Sequence, residues 1–568
     1  MEAQRLSGRR EPVGVSAVTR RSFLGYVGAT AAVAATGAGL AGCNEDNGAQ
    51  AQSVPTPTPT ASPTATPTQS QARQEIARDL RREAADMAFA RGVPVQTANG
   101  DEARYPNKIG NYSKGLPHKS LGEVDLTAYG ALLTAVSSGK PADFEAIPLG
   151  GTLKLANPQG GLACELEGPD SHACVQPPAP RFDSAEIAGE MVELYWMALL
   201  RDVSFTEYAT NADVAAACAD LSGLSDFRGP KQGGAVTPAT VFRGDTPGDQ
   251  IGPYLSQFIL KDFSYGAFPV SQVQRPYVAR GDYLTDFTTW LRIQNGAPPT
   301  AKPQFETTLR RLVNLRDLAR YVHDDLPYQA FLNACLILMA MGVPVKAGNP
   351  YKTSQTQTGF VTFGGPHILG LVTEVATRAL KAVWHQKWFV HRRLRPEEYA
   401  GRVHLHAAGQ ADYPVHEDVL HSAAIARVQA GNGTALLPMA YPEGCPSHPA
   451  YGAGHNTIAG ACATMLKAWF QEDFVIPNPV VPAVDGTALE AYAGADAGQL
   501  TVGGELNKLV ANVAAGRNAG GVHWRSDYPS SIAMGEAVAI NILEEQKITF
   551  NESSSFTLTK FDGTSITI

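Results

Sequence analysis

ILGLVTEVATRALKAVWHQKWFVHRRL, residues 368–394, is the stretch on which the fold is read. Its apolar residues recur at helical spacing over about six or seven turns of 3.6 residues. The helix is expected to stop at Arg395-Pro396, because proline disfavours the helical conformation before it and lacks an N–H. Working outward, the same period runs through ARQEIARDLRREAADMAFARG (72–92), SAEIAGEMVELYWMALLRD (184–202) and FETTLRRLVNLRDLARYVHDD (305–325). PYQAFLNACLILMAMG (327–342) is so apolar that it belongs in a core. HNTIAGACATMLKAWFQ (455–471), TVGGELNKLVANVAAGRNAGG (501–521) and DYPSSIAMGEAVAINILEEQ (527–546) complete the set. The tail, KITFNESSSFTLTKFDGTSITI (547–568), alternates around Asp562-Gly563 and reads as a hairpin. The fold class is therefore all-α: one large helical domain built on helix bundles, with minor β hairpins including the C-terminal tail. Residues 100–180 are rich in Gly and Pro and are expected to be mostly loop.

Three spans divide the chain. Residues 1–43 are expected to be a signal peptide: a twin-arginine pattern, Thr19-Arg20-Arg21-Ser22-Phe23-Leu24, precedes an Ala/Gly run ending in Leu40-Ala41-Gly42-Cys43. A transmembrane helix is the competing reading, but Ala and Gly anchor poorly in lipid. The last four residues resemble a lipoprotein processing site, which implies a bacterial protein exported by the twin-arginine pathway and lipid-anchored through Cys43. Residues 44–72, with VPTPTPTASPTATPTQS, should form a stiff solvated tether, and 73–568 the folded body. A net charge of −8 with no basic stretch argues against nucleic acid as a partner. Membrane contact is expected only through the N-terminal lipid. Of the six cysteines after Cys43, Cys164 and Cys174 flank a short loop and are the expected disulfide. Cys335 and Cys462 lie in apolar helical runs and read as buried thiols.

Against that acidic background, cationic side chains gather in KWFVHRRLRP (387–396), SHPAYGAGH (447–455) and GRNAGGVHWRSD (516–527). Lys387 and Arg395 are eight residues apart, which on one helix places them on nearly the same face. Trp384, Trp388 and Phe389 crowd that helix and argue that it is buried. Gly452-Ala453-Gly454-His455 reads as a turn into a helix N-terminus, where backbone N–H groups and the helix dipole favour an anion. Arg517 precedes His523 by six residues, and Asp527 follows by four, close enough to orient the imidazole. Planar guanidinium, compact ammonium and imidazole together describe a site for an oxyanion, phosphate or its larger analogue vanadate.

Lys-x7-Arg-Pro, a Gly-His step and Arg-x5-His-x3-Asp together resemble the superfamily of vanadium-dependent haloperoxidases and type 2 phosphatidic acid phosphatases. KGLPHKSLGEV (114–124), EMVELYWMALLRDVSF (190–205), DYLTDFTTWLRIQNG (282–296), GGPHILGLV (364–372) and YPEGCPSHPAYGAGH (441–455) look like the algal-type bromoperoxidases, and the likeness spans roughly 100–565. The resemblance implies two four-helix bundles and one vanadate per subunit, its vanadium bonded to His523. Lys387, Arg395 and Arg517 would neutralise its oxygens, Gly454 would offer its backbone N–H, and His455 would serve as acid and base towards peroxide. His448 would stand beside the site, and Lys387 would polarise bound peroxide. Trp384, Asp325 and Asp527 form the implied surround, with Asp324 an equal rival to Asp325 for the carboxylate that pairs with the second Arg. The implied partners are hydrogen peroxide, a halide (bromide or iodide), a small organic acceptor and further copies of the chain.

Two positions depart from the family pattern. Ala453 stands where the family has serine, and Gly452 where it has proline. Loss of a hydrogen bond to a charged group costs about 1.5–3 kcal/mol, so vanadate should bind, more weakly. The rival readings are an exported acid phosphatase with His523 as nucleophile, and an oxyanion-binding lipoprotein without catalysis.

Overall fold

The computed structural model describes residues 67–568. The expected signal peptide, Cys43 and the tether up to residue 66 lie outside the described residues. Helix α1 spans Pro67–Ala90, so residues 67–72 are helical rather than part of the tether. Along the chain follow α2 (Ala185–Leu199), α3 (Ala212–Gly223), α4 (Leu315–Tyr321), α5 (Gln329–Ala340) and α6 (Gly365–His385). Then come α7 (Pro396–Ala407), α8 (Ala423–Asn432), α9 (Gly454–Trp469), α10 (Val502–Ala519) and α11 (Asp527–Lys547). A 13-residue helix, Leu126–Ser138, further short helices and loops join them.

Helices α6, α9, α10 and α11 form the principal bundle, with α9 packed against the other three. Its central residues, Ile458 to Ala463, are small or apolar, and all of its residues but His455 are buried. Helices α9 and α11 approach at glycines: a Cβ on Gly535 would lie 2.0 Å from the Thr457 carbonyl oxygen, and one on Gly460 would lie 2.4 Å from that of Ile532. No larger residue fits at either point. Helix α10 is buried along its length except at Gly504, and its polar side chains are paired inside the body, as Lys508 is with Glu505. It joins α4 on one flank and α2 on another, and α2 gathers α3 and α8 into a second, smaller group.

Three two-stranded antiparallel hairpins decorate this body: β1 (Phe263–Tyr265) with β2 (Phe268–Val270), β3 (Val480–Pro482) with β4 (Leu489–Ala491), and β5 (Thr557–Thr559) with β6 (Ser565–Thr567). The last is the expected tail hairpin. Its turn needs the positive φ of 83° at Gly563. Among the described residues, no helix is long and apolar enough to cross a membrane.

Two expectations fail. The long helix does not reach residue 394. Helix α6 passes into a π-helical turn, Gln386–His391, and Arg392 turns the chain sharply at φ 42°. Arg395 is extended, and Pro396 opens α7, where its fixed φ and missing N–H suit a first helical position. Lys387 and Arg395 therefore sit on successive segments, not on one helix face. The Cys164–Cys174 disulfide is also absent. All six described cysteines are free: Cys164 is exposed, whereas Cys174 is buried behind the turn Ser171–Ala173, its Sγ 3.8 Å from the Asp170 carbonyl oxygen. Cys335 and Cys462 are buried thiols as expected.

Candidate oxyanion site

The π-helical turn after α6 drives Lys387 inward until it is wholly buried. Its Nζ donates to the carbonyls of Pro449 (2.8 Å) and Ala450 (2.9 Å), and it stands 5.7 Å from the Trp384 ring centre. Arg395, also wholly buried, donates through Nε to the His448 carbonyl (2.9 Å) and through Nη1 to the Val522 carbonyl (2.5 Å). The same guanidinium reaches two imidazoles: Nη1 lies 3.1 Å from His523 Nε2, and Nη2 lies 2.9 Å from His448 Nδ1. An arginine only donates, so both ring nitrogens present lone pairs. Arg517 enters from the end of α10, its Nη1 donating to the Val322 carbonyl at 2.8 Å. Its Nε is buried and has no partner.

The tautomer of His523 is set from behind. Its Nδ1 donates to Asp527 Oδ2 at 2.7 Å, which leaves the Nε2 lone pair facing the cage. The i, i+4 spacing works without a helix through His523, because Asp527 begins α11 and also accepts the Trp524 N–H at 3.1 Å. Gly454 is the first residue of α9, with Ala453 as its N-cap and no side-chain cap. The Ala453 N–H instead donates to Ser531 Oγ (2.8 Å), which also accepts from Gln176 Nε2 (3.2 Å). A Cβ on Gly452 would lie 2.4 Å from Gln176 Oε1, so Gln176 fills the space a larger residue there would need.

His455 and Asp325 form a pair at 3.0 Å. The partner of Asp325 is thus an imidazole rather than the second arginine, although the Arg517 charge also acts on it. Its rival Asp324 is exposed and pairs with Arg320 on the surface. Burial pushes the Asp325 carboxyl up, but the His455 bond and the Arg517 charge outweigh it and hold the pKa below the usual value.

Electrostatics show how the six basic groups converge. Burial first, then the charges of Arg395, Lys387 and Arg517, hold His523 well below the ordinary imidazole range. Burial, Lys387 and Arg395 do the same to His448, and burial with Arg517 lowers His455. Burial, with Arg395 and Arg517, depresses the Lys387 ammonium. The partners of Lys387 and Arg395 are carbonyls and imidazoles, not carboxylates. Such a concentration of positive charge in a dry site is costly unless an anion joins it.

The sequence reading overlooked one arginine. Arg393 is buried and donates to Asp527 Oδ1 (2.9 Å), Ser526 Oγ (2.8 Å) and Glu190 Oε2 (2.8 Å). It stands among three arginines in HRRLRP, and nothing in the spacing distinguishes it. Gln176 lies far from the motifs in sequence, and Ser531 follows Asp527 by one helical turn, outside the motif pattern. Trp384 stacks obliquely against His448, with ring centres 4.7 Å apart. Both residues line a cavity of about 580 Å³.

Residues 369–552 match the family model described as the VCPO second helical-bundle domain. The chain is 37% identical to a vanadium-dependent bromoperoxidase of Corallina officinalis over 86% of its own length and 97% of the relative's. To that of Ascophyllum nodosum it is 35% identical, over 83% and 88%. The solved homohexameric structure of the second vanadate-dependent bromoperoxidase of Ascophyllum nodosum superposes with a TM-score of 0.84. That match covers 91% of this chain and 94% of the other, at 31% identity.

Proposed function

The chain belongs to the vanadium-dependent bromoperoxidases, and from that membership and the cage described above we propose that it oxidises bromide with hydrogen peroxide, yielding hypobromous acid for halogenation of an organic acceptor. One observation carries the reading: Lys387, Arg395 and Arg517 are buried around the His523 lone pair, none of them bonded to a carboxylate, and Arg517 Nε has no partner. That donor set fits a tetrahedral oxyanion whose central atom accepts a nitrogen. Among the described residues no three His, Cys, Asp or Glu side chains cluster to hold a bare metal cation.

Vanadate, when bound, supplies a Lewis-acid centre that makes peroxide electrophilic towards halide. His523 would bond to vanadium through Nε2, because Asp527 occupies Nδ1. Lys387, Arg395 and Arg517 would carry the balancing charge, and the Gly454 N–H at the start of α9 would add a helix-end donor. His455, lowered in pKa by burial and Arg517 but tied to Asp325, would exchange a proton with peroxide as acid and base. Preorganised cations do most of the stabilising, since they already face the place where negative charge resides. Iodide, more easily oxidised, is an accessible second halide.

The test is reconstitution with vanadate and a bromide- or iodide-dependent dye assay with peroxide. Activity is expected with the wild type and none with His523→Ala. Failure with both halides across the pH range overturns the assignment.

The chain is also proposed to be a bacterial lipoprotein exported by the twin-arginine pathway, on the strength of the arginine pair at 20–21 and Leu-Ala-Gly-Cys at 40–43. Labelled palmitate should enter the wild type and not Cys43→Ala. Self-association is proposed as well, supported by the homohexameric relative. Light scattering should return a mass that is a multiple of 60.3 kDa before processing of the N-terminus.

A further inference from the structure

Resting on the haloperoxidase reading, we propose that Ser531 and Gln176 are the positioning residues for the Gly454 N–H, so that helix α11 sets both the imidazole and the backbone donor of the cage. The turn that opens α9 has no side chain with which to hold itself. It reads Gly452-Ala453-Gly454, and Ala453 at the N-cap makes no side-chain bond. Two glycines and an empty cap leave the first N–H groups of a helix free to swing. Here the turn is held from outside. The Ala453 N–H donates to Ser531 Oγ (2.8 Å), and the Ala453 carbonyl accepts from the Thr457 N–H (3.0 Å) and hydroxyl (2.9 Å). Next to it, the Tyr451 hydroxyl donates to the Pro177 carbonyl at 2.8 Å.

Ser531 is wholly buried and lies one turn of α11 beyond Asp527. Residues four apart share a helix face. One face of one helix therefore bonds His523 through Asp527 and the 453 turn through Ser531. Gln176 closes the arrangement. It is buried, and its Nε2 lies 3.2 Å from Ser531 Oγ. Its Oε1 has no partner among the described residues. A hydroxyl accepts from an amide N–H or donates to an amide oxygen, so the pair stays bonded with the amide turned either way. The same amide fills the space over Gly452, where a Cβ would lie 2.4 Å from Oε1 and 2.5 Å from Nε2. Glycine at 452 is thus what lets Gln176 reach Ser531.

Direction matters more than presence for a backbone donor. A hydrogen bond prefers an angle above about 150° and weakens steeply below about 120°. A charged acceptor gains most from a donor already aimed at it. Gly454 follows Ala453 directly, so fixing the Ala453 N–H and carbonyl fixes the peptide plane that carries the Gly454 N–H. Ser531 and Gln176 act through that plane and need no contact with the anion.

The experiment is calorimetric titration of the full chain, free of vanadate, with vanadate and separately with phosphate. Ser531→Ala and Gln176→Ala should each weaken both anions by about tenfold or more, inside the range of about 10–100-fold for outer-shell partners. Gly452→Ala should do the same by pushing the amide off Ser531. In the Gln176→Ala background the added methyl has room, and Gly452→Ala should cost little further affinity. A loss of stability alone does not produce that suppression. Equal losses from Gly452→Ala in both backgrounds, or an unfolding midpoint that falls while both affinities hold, overturns the positioning role. Should Ser531→Ala fail to fold, Gly452→Ala and Gln176→Ala decide the matter between them. Bromide oxidation by the vanadate-loaded wild type is read separately. Absence of turnover overturns the haloperoxidase reading, while the two affinities still decide what Ser531 and Gln176 do.

Discussion

His523 donates its Nδ1–H to Asp527 across 2.7 Å, and that bond determines which nitrogen the cage receives. Asp527→Asn keeps the shape but can present an amide N–H to the ring, which favours the opposite tautomer. Outer-shell partners of a ligating imidazole are worth about 10–100-fold in affinity. Calorimetric titration with vanadate should therefore show a loss of that order in Asp527→Asn, with a comparable loss for phosphate if the imidazole lone pair is what both anions meet.

Behind Asp527 stands Arg393, shared with Glu190. Removing one member of a buried ion pair leaves charges uncompensated and costs about 3–5 kcal/mol. Arg393→Met should lower unfolding free energy in urea by that amount. Arg393→Lys restores the charge without the planar fork and should recover part of it. A melting curve for Arg393→Met that matches the wild type would show that Glu190 and Asp527 do not depend on this partner.

Ala453→Ser supplies α9 with the N-cap side chain it lacks and offers the cage a hydroxyl. An N-cap serine is worth about 1 kcal/mol over alanine. A bond from its hydroxyl to a bound oxyanion is worth about 1.5–3 kcal/mol. The variant should melt higher and bind vanadate at least about tenfold more tightly. Equal affinity would mean that Ser531 and Gln176, which already hold the 453 turn, leave the added hydroxyl no path to the ligand.

The cage was legible because its members carry charge in short segments, and charge in a buried segment demands a partner. Helix positions in the principal bundle were legible from their period. The route between Lys387 and Arg395 was not: a π-helical turn and a left-handed Arg392 cost little in sequence signal, and the eight-residue spacing is equally compatible with a plain helix. Arg393 escaped for the same reason, since only the turn decides which arginine of HRRLRP faces Asp527. Cys164 and Cys174 were misread because loop length constrains closure weakly. The intervening chain spends its bonds otherwise, with Asp170 capping the Ser171–Ala173 turn and drawing Cys174 inward. Position 453 shows the limit of motif reading: what replaces a missing hydroxyl comes from residues 78 places later and far upstream.

Asp249 gives the fold a pH dependence separate from the cage. It is buried among Arg243, Lys508 and Arg525, and its Oδ2 has no partner. Burial pushes its carboxyl up to about 7 against the ordinary 3.8, with those cations opposing. The folded chain therefore keeps this proton to a higher pH than the unfolded chain. Below about pH 4 the group is protonated in both states and contributes no difference. As pH rises through 4 to 7 the unfolded chain releases the proton first, so stability falls; above 7 the loss is complete and constant. At about 1.4 kcal/mol per pKa unit, that loss is on the order of 4 kcal/mol. Asp249→Asn removes the ionisation and keeps the volume. Thermal unfolding of the two proteins should coincide near pH 4 and diverge above it, with the variant melting several degrees higher at pH 8. A constant offset at every pH would place the effect in packing against Gly244, where a Cβ would lie 2.1 Å from Asp249 Oδ2, and not in the buried charge.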